Sequence, residues 1–198
     1  MKKLLVLVAM MAVTAVASAY DFVPNEYGAC TISDEVSTSK SVADAYNAAK
    51  GWLNSQGFAA MTVGADKPGE MFNYTVTLNT KNSYNPFAGQ FIENLIFTIT
   101  VNFEQGKVAF KLENIQIQEI YGGYGTSNKT TAIGQFVNNV NNAKKAVADA
   151  QASTTMTKKE KKKIAKENED IIENGEETIN KARTELNNRL EILKSAIR

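Results

Sequence analysis

The 198-residue chain contains no histidine, a single cysteine, three prolines and one tryptophan. Without histidine, Ser-His-Asp and Cys-His catalysis cannot be assembled, and the common imidazole zinc sites are excluded as well. One cysteine, Cys30, permits neither an internal disulfide nor a four-thiolate metal site. Charge of one sign is also lacking: 22 Lys and Arg face 21 Asp and Glu, for a net charge of +1. That balance gives no electrostatic case for nucleic acid, whose phosphates require a basic surface.

One apolar run stands out, and it lies at the start. Met1-Lys2-Lys3 precedes the stretch Leu4 to Val16, which ends in Ala17-Ser18-Ala19. A basic start, a short apolar middle and a small-residue exit predict a signal peptide over residues 1–19, and hence a periplasmic or extracellular protein. The run is too short for a comfortable membrane span. Loss of Lys2 and Lys3 takes the charge from +1 to −1. Tyr27-Gly28-Ala29-Cys30 has the look of a lipoprotein signal tail, but Cys30 sits eleven residues beyond Ala19, with charges and a proline in between. A small buried core residue is the preferred reading of Cys30.

Alternating apolar and polar residues dominate the middle of the chain. Phe72, Tyr74, Val76 and Leu78 share one face, and so do Leu95, Phe97, Ile99, Val101 and Phe103. Glu104-Gln105-Gly106-Lys107 predicts a tight hairpin into Val108, Phe110 and Leu112. These are strands with one buried and one wet face. After Leu112 the apolar phase slips to Ile115 and Ile117, which predicts a β-bulge near Glu113 or Asn114 and a curved sheet. Ala29–Ile32 and Phe58–Gly64 read as further strands, Asp66 to Gly69 as a turn, and Thr80 to Gln90 as a polar loop.

Three helices complete the pattern. Ser41 with Asp44 has capping-box spacing ahead of a stripe of Ala45, Tyr46, Ala49, Trp52 and Leu53, closed by Gly57. A second stripe runs from Ile133 to Ala150. A third begins at Thr157 with Glu160 and extends to Ile197, about 60 Å if straight, so it must project, bend or pair. Asn174-Gly175 is the predicted bend.

Candidate chemistry is thin. Gly123 to Thr130 resembles a phosphate loop, but asparagine stands at 128 where the motif needs glycine and the strands read as antiparallel, so it is taken as a glycine-rich connection. Glu93, Glu104, Glu113 and Glu119 fall on wet faces or turns, with no apolar setting to raise a carboxyl pKa. No calcium loop is present. The expectation is therefore no catalytic residue, no cofactor and no metal. The block Lys158 to Lys166, followed by acidic residues from Glu167 to Glu177, reads as a solvated helix face. Contact with anionic lipid through that block is the weaker alternative. The wet sheet face, with Asn73, Thr75, Thr77, Thr98, Thr100, Asn102, Lys107 and Lys111, is a candidate binding surface without nucleic-acid stacking platforms.

Two stretches carry a resemblance. Ala45 to Leu53 in the first helix, and Phe97 to Lys107 continuing to Asn114-Ile115, resemble a secreted Bacteroidetes domain family of unknown function with a TBP-like fold. The likeness spans roughly Ala29 to Gly125; the turn here is Gln-Gly-Lys where the family favours Asp-Gly-Lys or Asp-Gly-Arg. It implies a fold and no catalytic residues, and a TBP-like fold does not imply DNA binding.

The combined expectation is α+β: a curved antiparallel sheet of four or five strands in β-α-β-β-β-β order, with a helix on one face, followed by a C-terminal helical hairpin. The expected divisions are 1–19, 20–126 and 127–198. The functional expectation is an exported non-catalytic interaction module that meets another protein or itself through the C-terminal helices. The alternatives are a carrier of a small apolar ligand beneath Phe72, Tyr74, Phe97, Phe103 and Phe110 and, more distantly, a hydrolase.

Overall fold

In the computed structural model, residues 20–87, 89–123 and 125–198 are described; the expected signal peptide, residues 1–19, lies outside them. Elements follow in the order β1 (Ile32–Ser37), α1 (Val42–Ser55), β2 (Ala60–Lys67), β3 (Met71–Asn85), β4 (Gly89–Glu104), β5 (Lys107–Gly122), β6 (Ser127–Ala132), α2 (Ile133–Ala152) and α3 (Lys158–Ile197). All strand pairs are antiparallel, in the order β1-β5-β4-β3-β2. β6 pairs with the second half of β5, beyond the stretch that β1 occupies.

The architecture is the expected α+β one, with six strands instead of four or five. The additional strand is β6, in which Ser127 to Thr130 are polar and exposed and Thr131 and Ala132 half-buried, so it carries no alternating apolar signal. The second helix begins only at Ile133. The first strand lies at Ile32–Ser37, not Ala29–Ile32, and β2 continues through Asp66 and Lys67.

The predicted loop from Thr80 to Gln90 is mostly strand. β3 runs to Asn85 and β4 starts at Gly89, because a register shift between Asn79 and Lys81 absorbs Thr80 and lets pairing resume. Sequence alternation breaks at that shift, and the polar residues beyond it conceal the strand.

The predicted bulge in β5 is present. Ile96 pairs with Gln116 but Thr98 with Glu113, so the stretch between them holds one extra residue on β5. Asn114 takes φ 53°, a left-handed conformation that asparagine tolerates better than other non-glycine residues. The shift keeps Leu112, Ile115 and Ile117 all on the buried face.

One apolar core lies between that face and the helices. α1 contributes Tyr46, Ala49, Trp52 and Leu53, and the second half of α3 contributes Leu186, Leu190, Leu193 and Ile197. Tyr46 meets Phe72 and Phe103 edge-on, at 6.3 and 5.4 Å between ring centroids. Trp52 Nε1 donates to Arg189 O at 3.0 Å, which ties α1 to α3. Cys30 is a free, buried thiol, and burial raises its pKa.

α1 is capped by Ser41, whose hydroxyl accepts from Asp44 N at 3.1 Å. α3 opens with the capping box Thr157/Glu160, as its sequence predicts. Contrary to expectation, α3 does not break at Asn174-Gly175. It is helical from Lys158 to Ile197, and Gly175 is where α2 crosses: a Cβ there would overlap Val140 Cγ2. The glycine serves close packing, not bending.

Candidate functional site

Three polar clusters, an outer sheet face and a helical arm are the places where function can reside. The first cluster joins α1 to the edge of the sheet. Tyr46 and Lys50, four residues apart, project from one side of α1 toward Asp66 on β2 and Tyr74 on β3. Asp66 accepts from the Tyr46 hydroxyl, from the Tyr74 hydroxyl at 2.7 Å and from Lys50 Nζ at 2.7 Å. The hydrogen bonds from Lys50, Tyr46 and Tyr74 hold the Asp66 carboxyl well below its ordinary value, at about 2. Burial and the bond to Asp66 push the Tyr46 phenol up.

The second cluster corrects a sequence expectation. Glu93 does not lie on a wet face: it shares the inner face with Leu95 and Phe97 and is 9% exposed. Lys181 of α3 reaches it at 2.8 Å and the Thr80 hydroxyl at 2.7 Å. Burial works against its charge, yet the bonds from Lys181 and Thr80 lower its pKa. Glu93 sits in a transverse row, Lys81↔Glu93↔Glu119↔Lys129, across β3, β4, β5 and β6. Glu119 is half-buried on that face, whereas Glu113 stays on the outer face, paired with Lys111 at 2.6 Å. Glu104 is exposed near Lys107 in the hairpin.

At the third cluster, the start of the described chain is tied to the end of α3. The Tyr20 hydroxyl donates to Asp34, Lys194 Nζ lies 2.9 Å from Asp34 and 4.8 Å from the centre of the Tyr20 ring, and Tyr20 N donates to Asn187 Oδ1 at 3.1 Å. Burial and Asp34 lift the Tyr20 phenol to about 12. Burial opposes the Lys194 charge, but Tyr20, Asp34 and Glu191 raise its pKa.

The three clusters share one electrostatic sense: the Asp66, Glu93 and Asp34 carboxylates are held ionised, while the Tyr46 and Tyr20 phenols and the Lys50 and Lys194 ammonium groups are held protonated. A general acid or base needs a pKa drawn toward neutrality, the opposite direction. These groups act as clamps between α1, α3 and the sheet. Sequence reading missed the Asp66 cluster because Asp66 was placed in a turn. Its signal was Tyr74 on an apolar face, since a buried tyrosine needs a hydroxyl partner.

The structure brings the candidate outer-face residues together. Asn73, Thr100 and Lys111 lie in one row and Thr75 and Thr98 in the next, exposed or half-exposed. Asn73 Nδ2 donates to Thr100 Oγ1 at 2.7 Å, and the Thr75 and Thr98 hydroxyls are 3.0 Å apart. Thr77 faces Ile96, Asn102 faces Met71 and Ala109, and Lys107 is paired with Glu35 and Glu104. Asn73 with Thr100, Thr75 with Thr98, and Lys107 with its two glutamates thus satisfy one another across the strands.

The inner aromatic residues are packed by protein. Phe72, Tyr74, Phe97, Phe103 and Phe110 are each at most 7% exposed. The grooves found along α2 and α3 do not reach them.

Beyond the core, α2 and α3 form an arm. The core cluster ends at Val140 and Ile179. Farther out, Ala143 and Ala150 are buried on α2, and no residue of α3 before Gly175 is fully buried. The segment from Lys158 to Asn174 extends about 25 Å along α2. It carries Ile171, 47% exposed, and grooves on both flanks. No helix among the described residues is long and apolar enough to cross a membrane, and no group of three or more potential metal-ligating side chains occurs among them.

No family model and no curated protein matches the chain. Two solved structures are similar in fold. One is a TBP-like protein from Parabacteroides distasonis ATCC 8503, with 16% identity, 81% of this chain and 96% of that chain covered, and a TM-score of 0.39. The other is a DUF4468 family protein from Bacteroides ovatus ATCC 8483, with 15% identity, 82% and 89% covered, and a TM-score of 0.40. Neither assigns an activity.

Proposed function

We propose that the chain is an exported, non-catalytic interaction module whose sheet and α1 form a rigid base and whose α2–α3 arm engages a protein partner. The observation that carries this reading is the arm. A two-helix pair that leaves the core exposes two flanks, and such surfaces are where helices meet partners. The basic start, apolar run and small-residue exit of residues 1–19 support export. The electrostatic sense of the buried clusters supports a role other than acid-base chemistry.

Site-specific photo-crosslinking in native cells tests the reading, with a photoreactive residue placed at Ile171 or Lys166 on the arm and at Thr75 or Thr100 on the outer face. Adducts from the arm positions alone, on a protein recovered outside the cytoplasm with its N-terminus near Tyr20, are the expected result. Adducts confined to the outer face, or turnover of a hydrolase substrate by the purified protein, would overturn it.

A further inference from the structure

Resting on the interaction-module reading, we propose that the partner of the arm is a second copy of this chain, paired antiparallel through one face of α3. Lys158, Lys162, Lys166, Glu169, Glu173 and Glu177 are spaced by four, four, three, four and four residues. That spacing aligns them along one side of the helix. The half nearer the arm tip is entirely basic and the half nearer the core entirely acidic.

Reversing the helix about a point between Glu167 and Asn168 lays Lys158 on Glu177, Lys162 on Glu173 and Lys166 on Glu169. A twofold axis there gives every one of the six charges an opposite partner, in the self-complementary manner of a symmetric dimer. Within one chain, none of the six has an ion-pair partner within 4.0 Å among the described residues. Their neighbours do: Lys144 with Glu176 at 2.5 Å and Lys163 with Glu167 at 3.7 Å.

The single chain also carries strain of a kind that pairing would relieve. Lys158, Lys162 and Lys166 are like charges four residues apart, as are Glu169, Glu173 and Glu177, and such pairs destabilise a helix. The lysines at the start of α3 further oppose the helix dipole. The partner's Glu173 and Glu177 would neutralise both effects. Beneath the charges, Val147, Ala165 and Ile172 line a groove of about 390 Å³, rimmed by four of the six residues. Two such grooves facing each other would give the pairing an apolar floor, turning two helical hairpins into a four-helix bundle.

Sedimentation equilibrium on the purified protein tests the pairing. A dimer is expected, weakening about tenfold or more between ~0.1 M and ~1 M salt as the screening length falls from ~10 to ~3 Å. Lys158→Glu/Lys162→Glu/Lys166→Glu and Glu169→Lys/Glu173→Lys/Glu177→Lys should each be monomeric with wild-type circular dichroism. An equimolar mixture of the two should form a heterodimer, and all six reversals on one chain should restore the homodimer. For register, Glu169→Cys mixed with Lys166→Cys should form an intermolecular disulfide, because the pairing lays residue 169 on residue 166; Glu177→Cys alone should form none, and should link only to Lys158→Cys. Dimerisation unaffected by either triple reversal, or a disulfide between two copies of Glu177→Cys, overturns the proposal. So does a monomer that sediments with phosphatidylglycerol vesicles. A monomer whose arm still crosslinks to a different protein would end this inference while leaving the interaction-module reading intact.

Discussion

Gly175→Ala is the substitution on which the crossing of α2 and α3 can be judged. In an exposed helix, replacing glycine by alanine stabilises by about 1 kcal/mol. Here the new Cβ would overlap Val140 Cγ2, and Val140 is only 4% exposed, with little room to retreat. Overpacking of this kind costs about 1–3 kcal/mol. The overpacking term exceeds the propensity gain, so the expected net effect is a loss of about 0–2 kcal/mol.

Val140→Ala removes the obstructing methyl groups. By itself it costs about 1–3 kcal/mol through lost burial and the cavity left behind. Combined with Gly175→Ala, the cavity is partly filled and the helical gain is recovered. The double mutant should therefore be no less stable than Val140→Ala alone, which gives a coupling of about 1–3 kcal/mol between the two sites. Denaturant unfolding followed by far-UV circular dichroism and by the fluorescence of Trp52, the one tryptophan, measures all four corners of the cycle. Trp52 reports the junction of α1 with α3. Stabilisation by about 1 kcal/mol from Gly175→Ala with Val140 intact would refute the crossing, because it would mean that nothing occupies the space above residue 175.

Three further outcomes follow from the clusters and the bulge. Asp66→Asn should destabilise by about 1–2 kcal/mol, since an amide replaces a carboxylate that accepts from two phenols and an ammonium group. Because the folded carboxyl lies near 2, below its ordinary value of 3.8, its contribution is complete above pH ~4 and is lost as the pH falls through ~2. Acid unfolding of the wild type should show this loss, and Asp66→Asn should lack it. Asn114→Ile should cost about 1–2 kcal/mol, because a β-branched residue is strained at φ 53°, whereas Asn114→Gly should be close to neutral by thermal melting. Lys181→Met should destabilise by about 1–3 kcal/mol by leaving the buried Glu93 carboxylate with Thr80 but without its ion-pair partner. Adding Glu93→Gln should recover part of the loss; failure to recover any would argue against the pair.

Much of the architecture was legible in the residues. Alternation placed β3, β4 and β5 because a half-buried strand must present apolar groups with period two. The slip from Leu112 to Ile115 revealed the bulge, because only an extra residue keeps both on the buried face. Ser41, Gly57 and the Thr157/Glu160 pair marked helix ends through local hydrogen bonding that needs no distant partner. β6 and the far ends of β3 and β4 were hidden, since their polar residues pair through the backbone and side-chain pattern carries no trace of that.

The sequence by itself determined the segments, their periodicities and the excluded chemistries, because these depend on neighbours within a few positions along the chain. Only the tertiary structure decided that Glu93 is buried against Lys181, that Asp66 is held by two tyrosines and a lysine, and that Gly175 marks a crossing. Each depends on residues of different elements, from 8 to 88 positions apart, being brought within a few ångströms, a condition set by how the strands pair and where α3 lies.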